Sequence, residues 1–172
     1  MALTDEQVER YARHLILKGV GVKGQKRLLA SSVLIIGAGG LGSPVALYLA
    51  AAGVGRIGLV DGDMVDLSNL QRQIIHTTAR VNEPKVESAA AAIRELNPDV
   101  TVDTYYELVD ANNIAGLIEA YDLVIEATDN FAAKFLINDA CVLANKPYIH
   151  AGVVGFAGQV MTVIPGEGPC YR

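Results

Sequence analysis

The chain has 172 residues, 51% of them hydrophobic, and a formal net charge of −5, which predicts a folded globular protein and excludes a disordered one. The acidic balance gives no positively charged surface for a nucleic acid, and no apolar run reaches membrane-spanning length. The polar, acidic start predicts no secretory signal, and two cysteines predict no disulfide framework, so a cytoplasmic location is the simplest interpretation.

The secondary structure can be predicted in chain order from apolar spacing and turn residues. Thr4 is a predicted N-cap of a first helix, which we expect Gly19, Gly21 and Gly24 to end before a short second helix. Further strands are predicted at 33–36, 57–60, 100–106, 123–127, 148–151 and 159–164, and further helices at 41–52, 84–96, 112–120 and 131–144. This alternation predicts an α/β fold, a Rossmann-like, mostly parallel sheet with helices on both faces.

The length predicts a single domain over residues 1–172, with N-terminal helices at 1–30 and a Rossmann-like core at 31–172. The chain stops directly after the last predicted strand, at Gly-Pro-Cys-Tyr-Arg, with no terminal helix. We interpret this end as a truncation or a missing tail.

A glycine-rich segment, VLIIGAGGLGSPVALYLAAAG, joins the first predicted strand to a long helix. Gly37 would permit a tight turn, Gly39 a close approach to a phosphate, and Gly42 close packing of the helix on the strand, with Gly40 between them. The helix N-terminus would offer free N–H groups to an anion. Asp61 ends the second strand, where its carboxylate can accept hydrogen bonds from ribose hydroxyls. These features predict a nucleotide site, and an NAD-dependent oxidoreductase domain is one interpretation of them.

The residues after the second strand are unusually polar for a dehydrogenase, which typically needs one acid there. The segment DGDMVDLSNLQRQIIH contains the polar residues Asp61, Asp63, Asn69, Gln71 and Arg72. Lys85 falls in the first turn of a predicted helix, where the helix dipole opposes a cation unless an anion compensates it.

Asp129 and Asn130 follow the fourth strand, at the carboxyl edge of the sheet where such folds bind ligands. Arg72, Lys85 and Asp129 could therefore meet at phosphates held by the glycine loop. Cations offset developing charge, and a carboxylate together with phosphate oxygens holds Mg²⁺. The combination predicts nucleotidyl transfer.

The chain resembles the ThiF/MoeB/HesA family of adenylyltransferases, relatives of the ubiquitin-activating enzymes, over essentially its whole length. The matching blocks are RYARHLIL, GAGGLGSP, GLVDGDMVDLSNLQRQ, NEPKVESA, LNP, EATDN and GPCYR. SNLQRQ together with PK and TDN is the specific part of the match, since the glycine motif alone is common.

The resemblance implies an ATP-binding adenylation domain with assigned residues. It implies that Asp129 positions magnesium and that Arg13 reaches into the neighbouring subunit of a homodimer. The remaining nucleotide-binding residues that it implies are Gly37, Gly39, Gly40, Leu41 and Gly42 in the loop, Asp61 at the ribose with Asp63 beside it, and Asn69, Arg72 and Lys85 at the triphosphate.

The resemblance also implies a reaction and a partner. A ubiquitin-like sulfur-carrier protein ending in Gly-Gly would be activated at its C-terminal carboxylate to an acyl-adenylate, with release of pyrophosphate. The main alternative is an NAD-dependent oxidoreductase domain. Two others are a non-enzymatic regulatory partner built on a decayed adenylating fold and an enzyme that activates a tRNA, a peptide or a small acid.

Family members commonly hold a structural zinc with two Cys-x-x-Cys pairs, and Cys170 would be the first cysteine of such a pair. The chain ends before the second cysteine, so zinc is expected only in a longer chain. Cys141 is interpreted as a small buried residue. His14, His76 and His150 are interpreted as isolated, with a structural role for His76.

Overall fold

The computed structural model describes residues 2–172. Its helices are α1 (Asp5–Arg10), α2 (Ala12–Leu15), α3 (Gly21–Ala30), α4 (Gly42–Ala52), α5 (Lys85–Leu96), α6 (Ile114–Glu119) and α7 (Phe131–Leu143). Its strands are β1 (Ser32–Ile36), β2 (Arg56–Val60), β3 (Thr101–Tyr105), β4 (Leu123–Glu126), β5 (Tyr148–Val154) and β6 (Ala157–Val163). The predicted α/β class is confirmed.

The six strands form one sheet in the order β3-β2-β1-β4-β5-β6. All neighbours are parallel except β5 and β6, which form an antiparallel hairpin. Strand order reverses beside β1, because β2 and β3 lie on one side of it and β4 to β6 on the other. The crevice outside the carboxyl ends of β1 and β4 is therefore the place where this type of sheet binds ligands.

The apolar run of β1 is explained by helices on both faces of the sheet. Ile35 packs with α4 and α5 in one buried cluster, whereas Leu34 and Ile36 pack with α6 and α7 in another. Successive residues of a strand point to opposite faces, so a strand covered on both sides has no polar position.

The N-terminal helices begin as the sequence predicts, but they divide differently. The Thr4 side chain accepts from the Gln7 N–H in a capping box, and Tyr11 separates α1 from α2. The expectation that Gly21 and Gly24 end a helix was wrong. Gly21 instead begins α3, where its φ of 55° suits glycine, and Gly24 lies within that helix.

The buried Tyr11 ties the N-terminal helices to the core. Its hydroxyl accepts from Asn97 Nδ2 at 2.9 Å, and the same amide donates to the carbonyl of Ala50 at 2.7 Å. Gly53, with a φ of 83°, ends α4 beneath the tyrosine ring and leaves no room for a Cβ.

Candidate functional site

The glycine loop connects β1 to α4 at the reversal of strand order. Gly37 has a φ of 101°, and a Cβ on Gly42 would overlap the Gly37 carbonyl oxygen, so the helix starts against the end of the strand. Within residues 2–172, the backbone N–H groups of Gly39, Gly40 and Leu41 donate to no backbone acceptor. Three free donors at a helix N-terminus form a site suited to an anion.

Asp61 shapes this loop from the end of β2. Its carboxylate accepts from the N–H of Ala38 at 2.8 Å and from the N–H of Asp63 at 2.9 Å. The two contacts hold the glycine loop and the loop after β2 side by side. Each carboxylate oxygen can still accept a further hydrogen bond, and Asp61 lines the cavity described below.

Lys85 begins α5 and is buried, yet its ammonium reaches the same loop. Lys85 Nζ lies 2.8 Å from Asp63 Oδ2, and the Lys85 N–H donates to the Asp63 carbonyl at 2.9 Å. Asp63 is thus the anion that offsets the helix dipole at this position.

Arg72 lies across the glycine loop. A Cβ on Gly40 would be 3.5 Å from Arg72 Cγ, and the guanidinium donates to the Ser68 carbonyl and to Gln71 Oε1. Asn69 accepts the backbone N–H groups of Arg72 and of the residue after it through its own carbonyl, which shapes the turn that carries the arginine.

A cavity of about 1290 Å³ joins these features along the carboxyl edge of the sheet. Of the predicted residues, Gly37, Gly39, Gly40, Leu41, Asp61, Asp63, Arg72, Lys85 and Asp129 line it. Gly42, Asn69 and Arg13 are outside the lining, and Arg13 is exposed on α2. The structure therefore brings together the two cations and the carboxylate on which the prediction of nucleotidyl transfer depends.

The opposite wall of the cavity comes from the β5–β6 hairpin and the C-terminal segment. Its lining includes Val153, Val154, Gly158, Gln159 and Tyr171. These residues could not be predicted from the sequence as part of the site, because the hairpin that carries them contains no polar motif.

The interpretation of His150 as isolated was wrong. Its Nδ1 lies 2.6 Å from Glu126 Oε2, and both residues are buried beside Lys134. Sequence reasoning missed this cluster; the one available signal was an acid, Glu126, at the end of an otherwise apolar strand.

His76 links the glycine loop to α5. Its ring nitrogens lie 3.0 Å from the carbonyl oxygen of Ala38 and 2.9 Å from Ser88 Oγ. Burial lowers the pKa of the ring, which favours neutral imidazole. His14 is also paired, since its Nδ1 lies 2.8 Å from Gln25 Oε1.

The two cysteines differ in their surroundings. Cys141 is fully buried in α7, and burial raises the pKa of its thiol to about 12. Cys170 is half-buried near the end of the chain. The described residues contain no group of three or more His, Cys, Asp or Glu arranged for a metal ion. In the same part of the chain, no helix has the length and apolar character needed to cross a membrane.

Comparison with known proteins yields close relatives over the whole chain. The chain is 48% identical over 170 residues to the adenylyltransferase and sulfurtransferase MOCS3 of Arabidopsis thaliana, covering 99% of this chain and 37% of that protein. It is 47% identical over 172 residues to the SAMP-activating enzyme E1 of Haloferax volcanii, covering 100% of this chain and 63% of that protein. The chain thus spans about a third to two thirds of these relatives' lengths.

Solved structures show the same architecture. The E. coli MccB structure with ATP matches with a TM-score of 0.85 and 30% identity, over 94% of this chain and 50% of that one. PaaA matches with a TM-score of 0.78 and 34% identity, over 88% of this chain and 49% of that one. The model of the ThiF family matches residues 11–172, which confirms the resemblance: the chain belongs to the ThiF family.

Proposed function

We propose that this chain is the nucleotide-binding part of an adenylyltransferase that uses ATP and magnesium to activate a ubiquitin-like sulfur-carrier protein ending in Gly-Gly. The observation that carries the proposal is the convergence of Arg72, Lys85 and Asp129 on one cavity beside a glycine loop with free N–H groups. Relatives named as adenylyltransferases and as an activating enzyme support it.

The glycine loop fits a phosphate chain. Gly40 packs against the Arg72 side chain, so the backbone of the loop and this cation lie side by side in the cavity lining. Lys85 adds an ammonium fixed in position by burial and by Asp63. An oxidoreductase would have no need for these two cations, which favours ATP over the alternative cofactor NAD.

The donor set fits magnesium held mainly by a nucleotide. Asp129 is an exposed carboxylate in the cavity lining, and Mg²⁺ in such enzymes takes one or two carboxylates, phosphate oxygens and waters. Bound magnesium would supply charge neutralisation at the phosphates. The chain's own contribution is to hold one carboxylate oxygen at the open edge of the sheet.

The proposed reaction needs positioning and charge stabilisation, and no nucleophile from the chain. An oxygen of the substrate carboxylate attacks the α-phosphorus, the bond from that phosphorus to the bridging oxygen breaks, and pyrophosphate leaves with the electron pair. Arg72 and Lys85 stabilise the charge that develops on the phosphate oxygens, an effect commonly worth on the order of 10²–10³ in rate for one contact.

The cavity also has room for the second substrate. Ligand clefts typically enclose roughly 300–1,000 Å³, and this one is about 1290 Å³. Its hairpin wall includes Val153, Val154 and Gly158, which are apolar and small. Such a wall suits an extended Gly-Gly tail. One of the E. coli structures contains MccB together with both AMPCPP and MccA.

ATP–pyrophosphate exchange by the full-length protein tests the proposal, with candidate carriers ending in Gly-Gly added one at a time. We expect exchange only with a carrier present, and loss of exchange in Asp129→Ala with an unchanged melting temperature. Activity within about threefold of wild type, roughly 0.6 kcal/mol, would rule out the role of Asp129. Binding of NADH in preference to ATP–Mg²⁺ would support the oxidoreductase alternative.

We also propose a homodimer in which Arg13 acts on the partner's nucleotide. Arg13 is exposed and outside the lining of its own chain's cavity, which is the position a residue acting in trans requires. Mixing inactive Arg13→Ala subunits with inactive Asp129→Ala subunits should restore one intact site per mixed dimer. Subunit exchange without recovered activity would contradict the role in trans.

A further inference from the structure

A buried ionic cluster lies directly behind the loop that carries Asp129. Glu126, the last residue of β4, has no exposed surface, and its two carboxylate oxygens lie 3.0 and 2.9 Å from Lys134 Nζ. Its Oε1 accepts from the backbone N–H of Thr128 at 2.7 Å and from the Thr128 hydroxyl at 2.6 Å, and its Oε2 contacts His150 Nδ1. One buried carboxylate therefore joins β4, the loop after it, α7 and β5.

Further hydrogen bonds tie the cluster to the β5–β6 hairpin. His150 Nδ1 lies 2.6 Å from the carboxylate, and its Nε2 lies 2.9 Å from Gln159 Nε2, so the imidazole bridges Glu126 and β6. Lys134 also donates to the carbonyl of Ala151 at 2.8 Å. The ammonium balances the carboxylate, and every polar atom of the pair has a partner.

A buried ionic cluster of this kind is expected to add little to the free energy of unfolding. Replacing a buried ion pair with well-packed apolar residues is often neutral or stabilising, whereas a buried network fixes one geometry. The geometry fixed here is that of Thr128 and the adjoining Asp129. Asp129 itself is exposed, so the place from which its side chain reaches the cavity depends on its backbone, which the two bonds from Thr128 to Glu126 restrain.

We propose that Glu126 is a positioning residue that acts through Thr128 to aim Asp129 at nucleotide-bound magnesium. The same carboxylate also anchors the hairpin wall of the cavity, because it contacts His150 on β5, and His150 in turn contacts Gln159 on β6. This inference rests on the proposed function, since it assumes that Asp129 binds magnesium.

The Thr128 hydroxyl gives the cleanest test. Thr128→Val keeps the shape but removes the hydroxyl bond, and Thr128→Ser restores it. Thr101→Val, at the far amino end of β3 and exposed, is the matched control. The readout is the dissociation constant of ATP for the full chain, measured by calorimetry with magnesium and again in a chelator.

We expect wild type to bind ATP more tightly with magnesium than without. Thr128→Val should weaken binding with magnesium by about tenfold, the lower end of the usual effect of losing a partner of a metal ligand. Its affinity in chelator should stay within about twofold of wild type, and Thr128→Ser and Thr101→Val should match wild type in both conditions. Glu126→Gln, if it folds, should resemble Thr128→Val.

Two results overturn the inference in different ways. If wild type responds to magnesium but Thr128→Val loses nothing, or loses equally with and without the metal, the positioning role is wrong and the proposed function stands. If wild-type affinity does not respond to magnesium, the magnesium role of Asp129 fails, and the inference fails with it.

Discussion

The ion pair between Lys85 and Asp63 predicts unequal losses of stability when one or the other member is replaced. The Lys85 side chain is 7% exposed and that of Asp63 is 67% exposed. Removing the lysine with Lys85→Met leaves a carboxylate that water can solvate, so we expect a loss of about 0–1 kcal/mol in the free energy of unfolding. Asp63→Asn leaves a buried ammonium with only a neutral acceptor, and we expect a loss of about 2 kcal/mol, within the range of about 1–3 kcal/mol or more for an unsatisfied buried group.

The order reverses for activity. Lys85→Met should lower the rate of ATP–pyrophosphate exchange on the order of 10²–10³-fold, as for loss of one charge contact. Asp63→Asn should lose less than about tenfold, because the phosphates of ATP supply the missing anion to Lys85. For the same reason ATP should stabilise Asp63→Asn more than it stabilises wild type.

Urea denaturation with and without ATP, together with the exchange assay, measures all of these quantities. Glu95→Gln is the matched control, because Glu95 pairs with Arg80 at 3.1 Å and lies outside the cavity lining. Equal destabilisation by Lys85→Met and Asp63→Asn would refute the argument from unequal burial. Equal stabilisation of wild type and Asp63→Asn by ATP would refute the argument that ATP phosphates replace Asp63 as the anion beside Lys85.

Two further predictions follow from the glycine loop and its histidine. Gly42→Ala should lower the free energy of unfolding by about 1–3 kcal/mol or more, because its Cβ would overlap the Gly37 carbonyl. Gly40→Ala should change the free energy of unfolding by under about 0.5 kcal/mol, because its Cβ would lie at an ordinary 3.5 Å from Arg72. The same substitution should weaken ATP binding. Urea denaturation and ATP titration check both, and equal destabilisation would contradict the geometry. Burial lowers the pKa of His76, so its contribution to stability is complete above the ordinary value of 6.5 and is lost as the pH falls through the lowered folded-state value. Wild type should therefore lose more stability than His76→Gln between about pH 7 and about pH 5, and parallel pH profiles would exclude this effect.

The sequence was sufficient for the fold class, and nine of the residues that it singled out line the cavity. Continuous apolar strands and glycine-marked turns are local signals, so β1, the glycine loop and Asp61 could be assigned from neighbours in the chain. The contact between Glu126 and His150 could not, because it joins residues 24 apart, and the EATDN block that contains Glu126 gives no sign of its partner. The antiparallel direction of β6 also escaped prediction, since strand direction depends on pairing and not on composition.

The pairing of the β5–β6 hairpin implies an uneven resistance to opening along its length. β4 pairs with β5 only from Tyr148 to His150, whereas β5 pairs with β6 as far as Val154. The outer part, 151–160, is thus a two-stranded ribbon, a unit that is marginally stable on its own in water. Amide hydrogens there should exchange with solvent faster than those at 148–150 and 161–163, and they should slow when a peptide fills the cavity. We therefore expect the hairpin wall of the cavity to open more readily than the parallel sheet beneath it.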